Sequence, residues 1–176
     1  MGRLYSAVDL VAGIIVTFSR LVIIVSGIAL TVVTTANVVV RYVSARGGLS
    51  FAQELPMLMF PWFIIAGIVI AAHAGGHMAV EWLYEKLAGR ARTTALVVAN
   101  GISVAGFLML SYQATVVAEI AGAEHSAVLQ LPNSIGYYSL AIGALLVSIV
   151  TIAATTRVLR LGWDHRLEIK PEEIAL

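Results

Sequence analysis

Four long apolar blocks dominate the chain, and charged residues and turn formers cluster in the short stretches between them. The blocks cover residues 21–42, 55–79, 95–119 and 135–159. Each has about 20 to 25 residues, the length at which an α-helix crosses the hydrocarbon core of a bilayer. The pattern predicts an all-α integral membrane fold with four transmembrane helices. We expect a single domain over residues 1–176, with residues 161–176 as a tail.

A polar pattern precedes the first block. Asp9, Gly13, Thr17 and Arg20 are spaced by four, four and three residues, which places them on one side of an otherwise apolar helix. This pattern is typical of a helix that lies in the plane of the headgroups. Residues 4–20 can therefore lie in the interface, which is the interpretation we prefer, or extend helix one. A second interfacial amphipathic segment is expected in residues 81–92.

The placement of Lys and Arg predicts the orientation, because both residues are enriched in short cytoplasmic loops. The connector between helices two and three and the C-terminal segment hold most of them: Lys86, Arg90, Arg92, Arg157, Arg160, Arg166 and Lys170. The connector between helices three and four has none. We therefore expect both termini to be cytoplasmic, so that residues 161–176 form a cytoplasmic tail.

The composition limits the classes of function that fit this chain. Hydrophobic residues make up 60% of the chain and charged residues 12%, against roughly 25% charged residues in a soluble domain. Cysteine is absent, which excludes disulfides, iron–sulfur clusters and thiolate zinc sites. We find no nucleophilic triad, phosphate-binding loop or nucleic-acid-binding stripe, so we predict no enzyme activity, no cofactor and no nucleic-acid partner. No block has an ionisable residue near its centre, unlike most independent ion-coupled transporters.

Helix one carries a stripe of small and polar residues: Gly27, Thr31, Thr34, Asn37 and Arg41. Such residues mark helix contacts in lipid, because lipid tails solvate large apolar side chains as well as a neighbouring helix does. The stripe either closes the chain's own bundle or contacts a separate subunit. A guanidinium can hold a carboxylate or a phosphate with two hydrogen bonds. Candidate partners of Arg41 are therefore Glu54, a group of another subunit and a lipid phosphate.

His73, His77 and Glu81 are spaced by four residues, which on one unbroken helix would suit zinc. Gly75 and Gly76 interrupt that spacing, and an H-E-x-x-H core is missing. A haem would need histidines that face each other inside the bilayer, whereas all four histidines lie at or beyond block ends. We therefore predict no metal and treat His77 as a candidate contact residue at the end of the membrane.

The order of these features resembles the small membrane subunit of tripartite ATP-independent periplasmic (TRAP) transporters, the DctQ-like family. The matching segments are Asn37-Val-Val-Val-Arg41-Tyr42, the short segment with Glu54, Gly67, Ala-Gly-Gly-His77-Met-Ala-Val-Glu81 and Leu129-Gln-Leu-Pro132. The chain departs from the family pattern at Gln53, where a second acidic residue is common. It departs again at the Ala-Gly-Gly run, where a basic residue often precedes the histidine.

The resemblance implies that this chain is one subunit of a larger transport complex. A large membrane subunit would carry the sodium and substrate sites, and a periplasmic substrate-binding protein would deliver an organic acid or a similar solute. This chain would be the scaffold of an elevator-type symporter in the bacterial inner membrane, with membrane phospholipid as a further partner. Its length predicts an unfused subunit, and its N-terminus does not read as a cleaved signal peptide. An independent oligomeric transporter and a metal- or haem-dependent membrane enzyme remain as alternatives.

Overall fold

The computed structural model describes residues 2–44, 47–74 and 86–163, with side chains from residue 8 onward. These residues form four helices, which are α1 (Gly2–Val43), α2 (Phe51–His73), α3 (Gly89–Ala121) and α4 (Ser134–Leu161), and they include no strand. Each helix is long and apolar enough to cross a membrane. The predicted all-α fold with four transmembrane helices is confirmed. Residues 161–163 are the described part of the predicted tail, and residues 164–176 lie outside the described residues.

Helix α1 is much longer than the first apolar block. It runs without a break for 42 residues, or about 63 Å at 1.5 Å per residue, roughly twice the thickness of the hydrocarbon core. Asp9 near its start binds Arg157 near the end of α4, with 2.9 Å between Oδ1 and Nη2. The separate interfacial segment that we preferred is therefore wrong, and residues 4–20 extend helix one alongside α4.

Burial explains why the polar pattern of residues 9–20 was misleading. The side of α1 that is buried in this region carries Ala12, Val16 and Ser19, whereas Gly13 and Thr17 are exposed. The Thr17 hydroxyl donates a hydrogen bond to the Gly13 carbonyl of its own helix. The small residues Ala12 and Ser19 thus pack inward, and the helix continues because tertiary contacts hold it.

Helix α4 is the centre of the bundle. It packs against α2 on one side and α3 on the other, and α1 packs mainly against α2. Val147 and Val150 of α4 form a buried cluster with Val69 and Ala72 of α2. Ile15 of α1, Phe107 of α3 and Leu146 of α4 pack against this cluster. All four helices therefore share one core, although α3 contributes only its α4-facing side.

Two hydrogen bonds join α3 to α4 inside the apolar region. The Asn100 side-chain amide donates to the Thr155 hydroxyl at 2.7 Å, and the Ser111 hydroxyl donates to the Ala141 carbonyl at 2.8 Å. Interhelical hydrogen bonds in membranes contribute about 0.6 to 2 kcal/mol each. They hold the register of α3 on α4, since few of its side chains are buried.

We predict that the Asp9–Arg157 ion pair gives a small but measurable coupling between α1 and α4. The two side chains are 38% and 20% exposed, so solvent screens the pair and a coupling of about 0.5 to 1 kcal/mol is expected. Thermal unfolding of Asp9→Ala, Arg157→Ala and the double variant in detergent would measure it. Strictly additive losses would contradict a direct interaction, and Asp9→Arg combined with Arg157→Asp should recover part of the stability.

Candidate subunit-interface site

Some residues of the predicted stripe on α1 face the inside of the bundle, and others face outward. A side chain added at Gly27 would lie 3.4 Å from the Phe63 ring of α2, so this position faces the chain's own bundle. Thr31 and Thr34 are exposed, and their hydroxyls donate to the carbonyls of Gly27 and Leu30 at 2.8 and 2.6 Å. The threonines therefore present small surfaces outward with their hydrogen bonds already satisfied.

Asn37 belongs to the internal part of the stripe. Its Oδ1 accepts a hydrogen bond from the backbone N–H of Leu49 at 2.8 Å. A Cβ at Gly48 would collide with the Asn37 side chain, so only glycine fits there without a shift. Asn37 thus holds the described part of the connector between α1 and α2 at Gly48 and Leu49.

Glu54 holds a part of the chain that is distant in sequence. Its carboxylate accepts backbone N–H bonds from Val128 at 2.9 Å and Leu129 at 2.8 Å. Both donors belong to the connector between α3 and α4, residues 122–133, which we call the cap loop. Consecutive backbone N–H groups form a natural site for an anion. The end of the bundle with the cap loop is called the cap end below.

Arg41 does not pair with Glu54. Among the described residues no ion pair joins Arg41 to Glu54, and the Glu54 carboxylate is bound by the cap loop instead. Arg41 is exposed at the cap end. It lines a cavity of about 360 Å³, whose other lining residues are Asn37, Gly48, Leu49, Ser50, Gln53, Glu54 and Val128. Its guanidinium can therefore take an anionic group from outside the chain.

Of the two histidines in the spacing that would suit zinc, only His73 is among the described residues. His73 ends α2, and its Nδ1 is buried without a hydrogen-bond partner among the described residues. His77 and Glu81 lie outside the described residues. Within the part of the chain that is described, no three His, Asp or Glu side chains come together as a metal site would require. The expectation that the chain binds no metal stays a prediction.

Charged side chains form two belts along the described helices. Arg41, Glu54 and Glu119 lie at the cap end. Arg20 precedes Arg41 by 21 residues on α1, or about 31 Å, which matches the thickness of the hydrocarbon core. His73 lies within electrostatic range of Asp9, Arg20 and Arg157. The helix centres between the two belts are uncharged in the described residues.

Sequence reasoning missed two features at the cap end. One is that the cap loop is structurally ordered and is hydrogen-bonded to Glu54. The other is an apolar groove of about 610 Å³ between α2 and α4, with Glu124 and Asn133 at its rim. Pro132 and Asn133 signalled the start of α4, but no local signal connects Glu54 to amides that lie 74 and 75 residues further along the chain.

Comparison with known proteins gives one family and one similar chain. The family model described as "Tripartite ATP-independent periplasmic transporters, DctQ component" matches residues 30–161. An uncharacterised protein of Sinorhizobium fredii (strain NBRC 101917 / NGR234), y4mM, is 63% identical over 176 residues, which is 100% of this chain and 32% of that protein. The chain thus spans about a third of the length of this curated relative. The prediction of an unfused subunit stays a prediction.

Proposed function

The chain belongs to the DctQ family of tripartite ATP-independent periplasmic (TRAP) transporters, and on this basis we propose that it is the small permease subunit of a sodium-coupled transporter for an organic acid or a similar solute. The family match over residues 30–161 carries the proposal. The family is a transporter component, so the chain is a multi-pass membrane transport protein and not an enzyme. We propose the bacterial inner membrane as its location and residues 1–176 as one transmembrane domain.

The distribution of charged side chains in this chain supports a role beside a large membrane subunit. Ion and substrate pathways through membranes generally contain ionisable residues deep in the bilayer. In the described helices the charged side chains lie in the two belts and leave the centres uncharged. We therefore assign the sodium and substrate sites to the large subunit. The small subunit acts as a fixed scaffold, and a periplasmic binding protein delivers the solute.

We place the contact with the large subunit on the exposed part of the α1 stripe. Thr31 and Thr34 allow a neighbouring helix to approach closely, because small side chains permit near contact between backbones. Arg41 lies at the end of the same stripe and lines an open polar cavity. A carboxylate of the large subunit or a phospholipid phosphate between the subunits would satisfy it. Gly27 and Asn37 support this surface from inside, and Glu54 borders the same cavity. His77, which lies outside the described residues, stays a candidate contact residue.

Reconstitution tests the proposed function. Vesicles with this chain, the large subunit and the binding protein should accumulate solute when a sodium gradient is imposed. Vesicles that lack any of the three components should not. Solute flux from this chain alone would instead identify it as an independent transporter, and assembly of an active transporter without it would refute a role as an essential subunit.

The proposed orientation has both termini in the cytoplasm and the cap loop outside. The support is the enrichment of Lys86, Arg90, Arg92 and Arg160 at the end opposite the cap loop. The chain has no cysteine, so single cysteines can be introduced at Ala88 and Ala127, both of which are exposed. We expect Ala127→Cys to react with a membrane-impermeant maleimide on whole spheroplasts and Ala88→Cys to react only after lysis. The reverse pattern would contradict the orientation.

A further inference from the structure

Positive charge accumulates at the end of the bundle opposite the cap loop, which we call the far end. Among the residues whose side chains the structure describes, the far-end halves of the four helices contain only one carboxylate, that of Asp9. The same halves carry one histidine and five arginines: His73, Arg20, Arg90, Arg92, Arg157 and Arg160. Such an excess of positive charge attracts anionic ligands.

The register of α1 on α2 follows from two close contacts. A Cβ added at Gly27 would lie 3.4 Å from the Phe63 ring, and a Cβ added at Gly67 would lie 3.9 Å from Cδ1 of Ile23. Gly27 and Ile23 are four residues apart on α1, and Phe63 and Gly67 are four residues apart on α2 in the opposite direction. The two helices are therefore antiparallel, and each residue back along α1 corresponds to one residue forward along α2.

This register places Arg20 of α1 beside the end of α2. Continued for three more residues from the Ile23–Gly67 contact, it brings Arg20 within one helical turn of His73, the last residue of α2. Arg20 also lies on the α2-facing side of α1, because it precedes Ile23 by three residues and Gly27 by seven. It is exposed nonetheless, since α2 ends at this level.

His73 brings a hydrogen-bonding ring to the same place. Its Nδ1 is buried without a hydrogen-bond partner among the described residues, whereas the residue as a whole is partly exposed. The ring nitrogen that a ligand can reach is therefore Nε2. In the tautomer that carries its proton on Nε2, the neutral ring donates a hydrogen bond to an acceptor at the surface.

The Asp9–Arg157 ion pair borders this place on the side of α4. Arg157 is 20% exposed, and its bond to Asp9 holds the guanidinium in position. His73 lies within electrostatic range of Arg20, Arg157 and Asp9. Asp9 is the only carboxylate of α1 and is bound by Arg157, so Arg20 has no acidic side chain to pair with on its own helix. An anion at this place would meet basic side chains from three helices.

The depth of Arg20 narrows the choice of anion. Arg20 lies about 31 Å from Arg41 along α1, which is close to the thickness of the hydrocarbon core. Phe18 and Leu21 beside it are 59% and 56% exposed, so apolar surface borders the guanidinium. A long basic side chain at this level reaches the phosphates of the lipid headgroups. With the proposed orientation these headgroups belong to the cytoplasmic leaflet, where basic segments bind anionic lipids.

We propose that Arg20, His73 and Arg157 form a binding site for the phosphate of an anionic phospholipid at the far end of the bundle. Arg20 donates two parallel hydrogen bonds to phosphate oxygens. His73 donates from Nε2, and Arg157 adds positive charge while Asp9 orients it. The bound lipid joins the ends of α1, α2 and α4 to one another. The site is separate from the cavity at Arg41, which lies at the cap end.

The experiment measures lipid binding by the full chain in detergent. The thermal midpoint is recorded during addition of phosphatidylglycerol or phosphatidylcholine, and native mass spectrometry counts the bound lipids. Phosphatidylglycerol should raise the midpoint, because a ligand that binds the folded state stabilises it. Phosphatidylcholine, whose headgroup has no net charge, should raise it less. An equal rise with inorganic phosphate alone would overturn the lipid and assign the site to a soluble phosphate compound.

Substitutions of single residues locate the site. Arg20→Gln should weaken phosphatidylglycerol binding about tenfold, because hydrogen bonds between charged groups are the strong ones. Arg20→Lys keeps the charge without the two parallel hydrogen bonds and should lose less affinity, and His73→Gln should also bind more weakly than the wild type. Arg90→Gln is the matched control, since it removes the same charge from an exposed far-end residue at the start of α3.

Two further outcomes would overturn the site. Equal losses of affinity in Arg20→Gln and Arg90→Gln would show that the far end attracts anionic lipid only through its total charge. A lower midpoint of Arg20→Gln without lipid, combined with wild-type affinity for phosphatidylglycerol, would show that Arg20 only stabilises the C-terminal end of α2. Where Arg20→Gln gives too little folded protein, Arg20→Lys and His73→Gln test the same site. The proposed function is tested separately by reconstitution and does not depend on these results.

Discussion

Replacing Gly143 with alanine is expected to cause a large loss of stability for a change of one methyl group. Gly143 is buried in α4, and a Cβ there would collide with Cγ1, Cδ1 and Cβ of Ile65 in α2. Ile65 is branched at Cβ and has little rotamer freedom in a helix, so it cannot easily move aside. We expect a loss of about 1 to 3 kcal/mol from overpacking, measured as a lower thermal midpoint in detergent.

Gly101→Ala is the matched control for this experiment. Gly101 is an exposed glycine of α3 with no atom within 4 Å of an added Cβ. Alanine is the better helix former by roughly 0.5 to 1 kcal/mol, so stability should be unchanged or slightly higher. Combining Gly143→Ala with Ile65→Ala should remove most of the clash. Equal midpoints for Gly143→Ala and the wild type would show that α2 and α4 are not as close as described.

The location of the four helices could be predicted because the bilayer imposes a length and a composition on any helix that crosses it. The end of the third apolar block at residue 119 lies close to the end of α3 at Ala121, and the fourth block differs from α4 by one or two residues at each end. The second block, 55–79, is placed too late, because α2 runs from Phe51 to His73, and α3 begins at Gly89, six residues before the third block. The error at α1 has a physical cause. A polar stripe indicated a surface helix, but Asp9 finds its partner Arg157 on α4, and no local pattern shows a contact between residues so far apart.

The candidate site was only partly predictable for a similar reason. Spacing placed Gly27, Thr31 and Thr34 on one side of a helix but did not show that Phe63 of α2 covers only the glycine. Arg41 and Glu54 were recognised as residues at the same end of the bundle, and they do line one cavity. The sequence could not show whether these two side chains pair. Backbone amides of the cap loop compete for the carboxylate, and backbone donors have no signature in the sequence.

The structure also changes how the α1 surface should be tested. Val33 of α1 is partly buried, so it is unsuitable as a lipid-facing control position. Thr34 and Thr35 are both exposed, and adjacent positions of a helix point about 100° apart. Thr34 lies seven residues before Arg41 and so on the same side of the helix, whereas Thr35 is turned about 120° away from Arg41, although it is close to Thr31. The pair therefore offers the same chemical change at two positions that differ in their direction relative to Arg41.

We expect Thr34→Leu to reduce co-purification of the large subunit several-fold and Thr35→Leu to reduce it less. Leucine at Thr34 would hold a neighbouring helix away from α1 and forfeit packing and hydrogen bonds worth about 1 to 2 kcal/mol in a membrane. The Thr34 hydroxyl bonds to its own helix, so its loss alone should not unfold the chain. Pull-down of the tagged large subunit at equal expression measures the effect, with the thermal midpoint of each variant as a check on folding. Equal recovery with both variants would place the interface elsewhere, and the wide exposed side of α3 would then be the next surface to test.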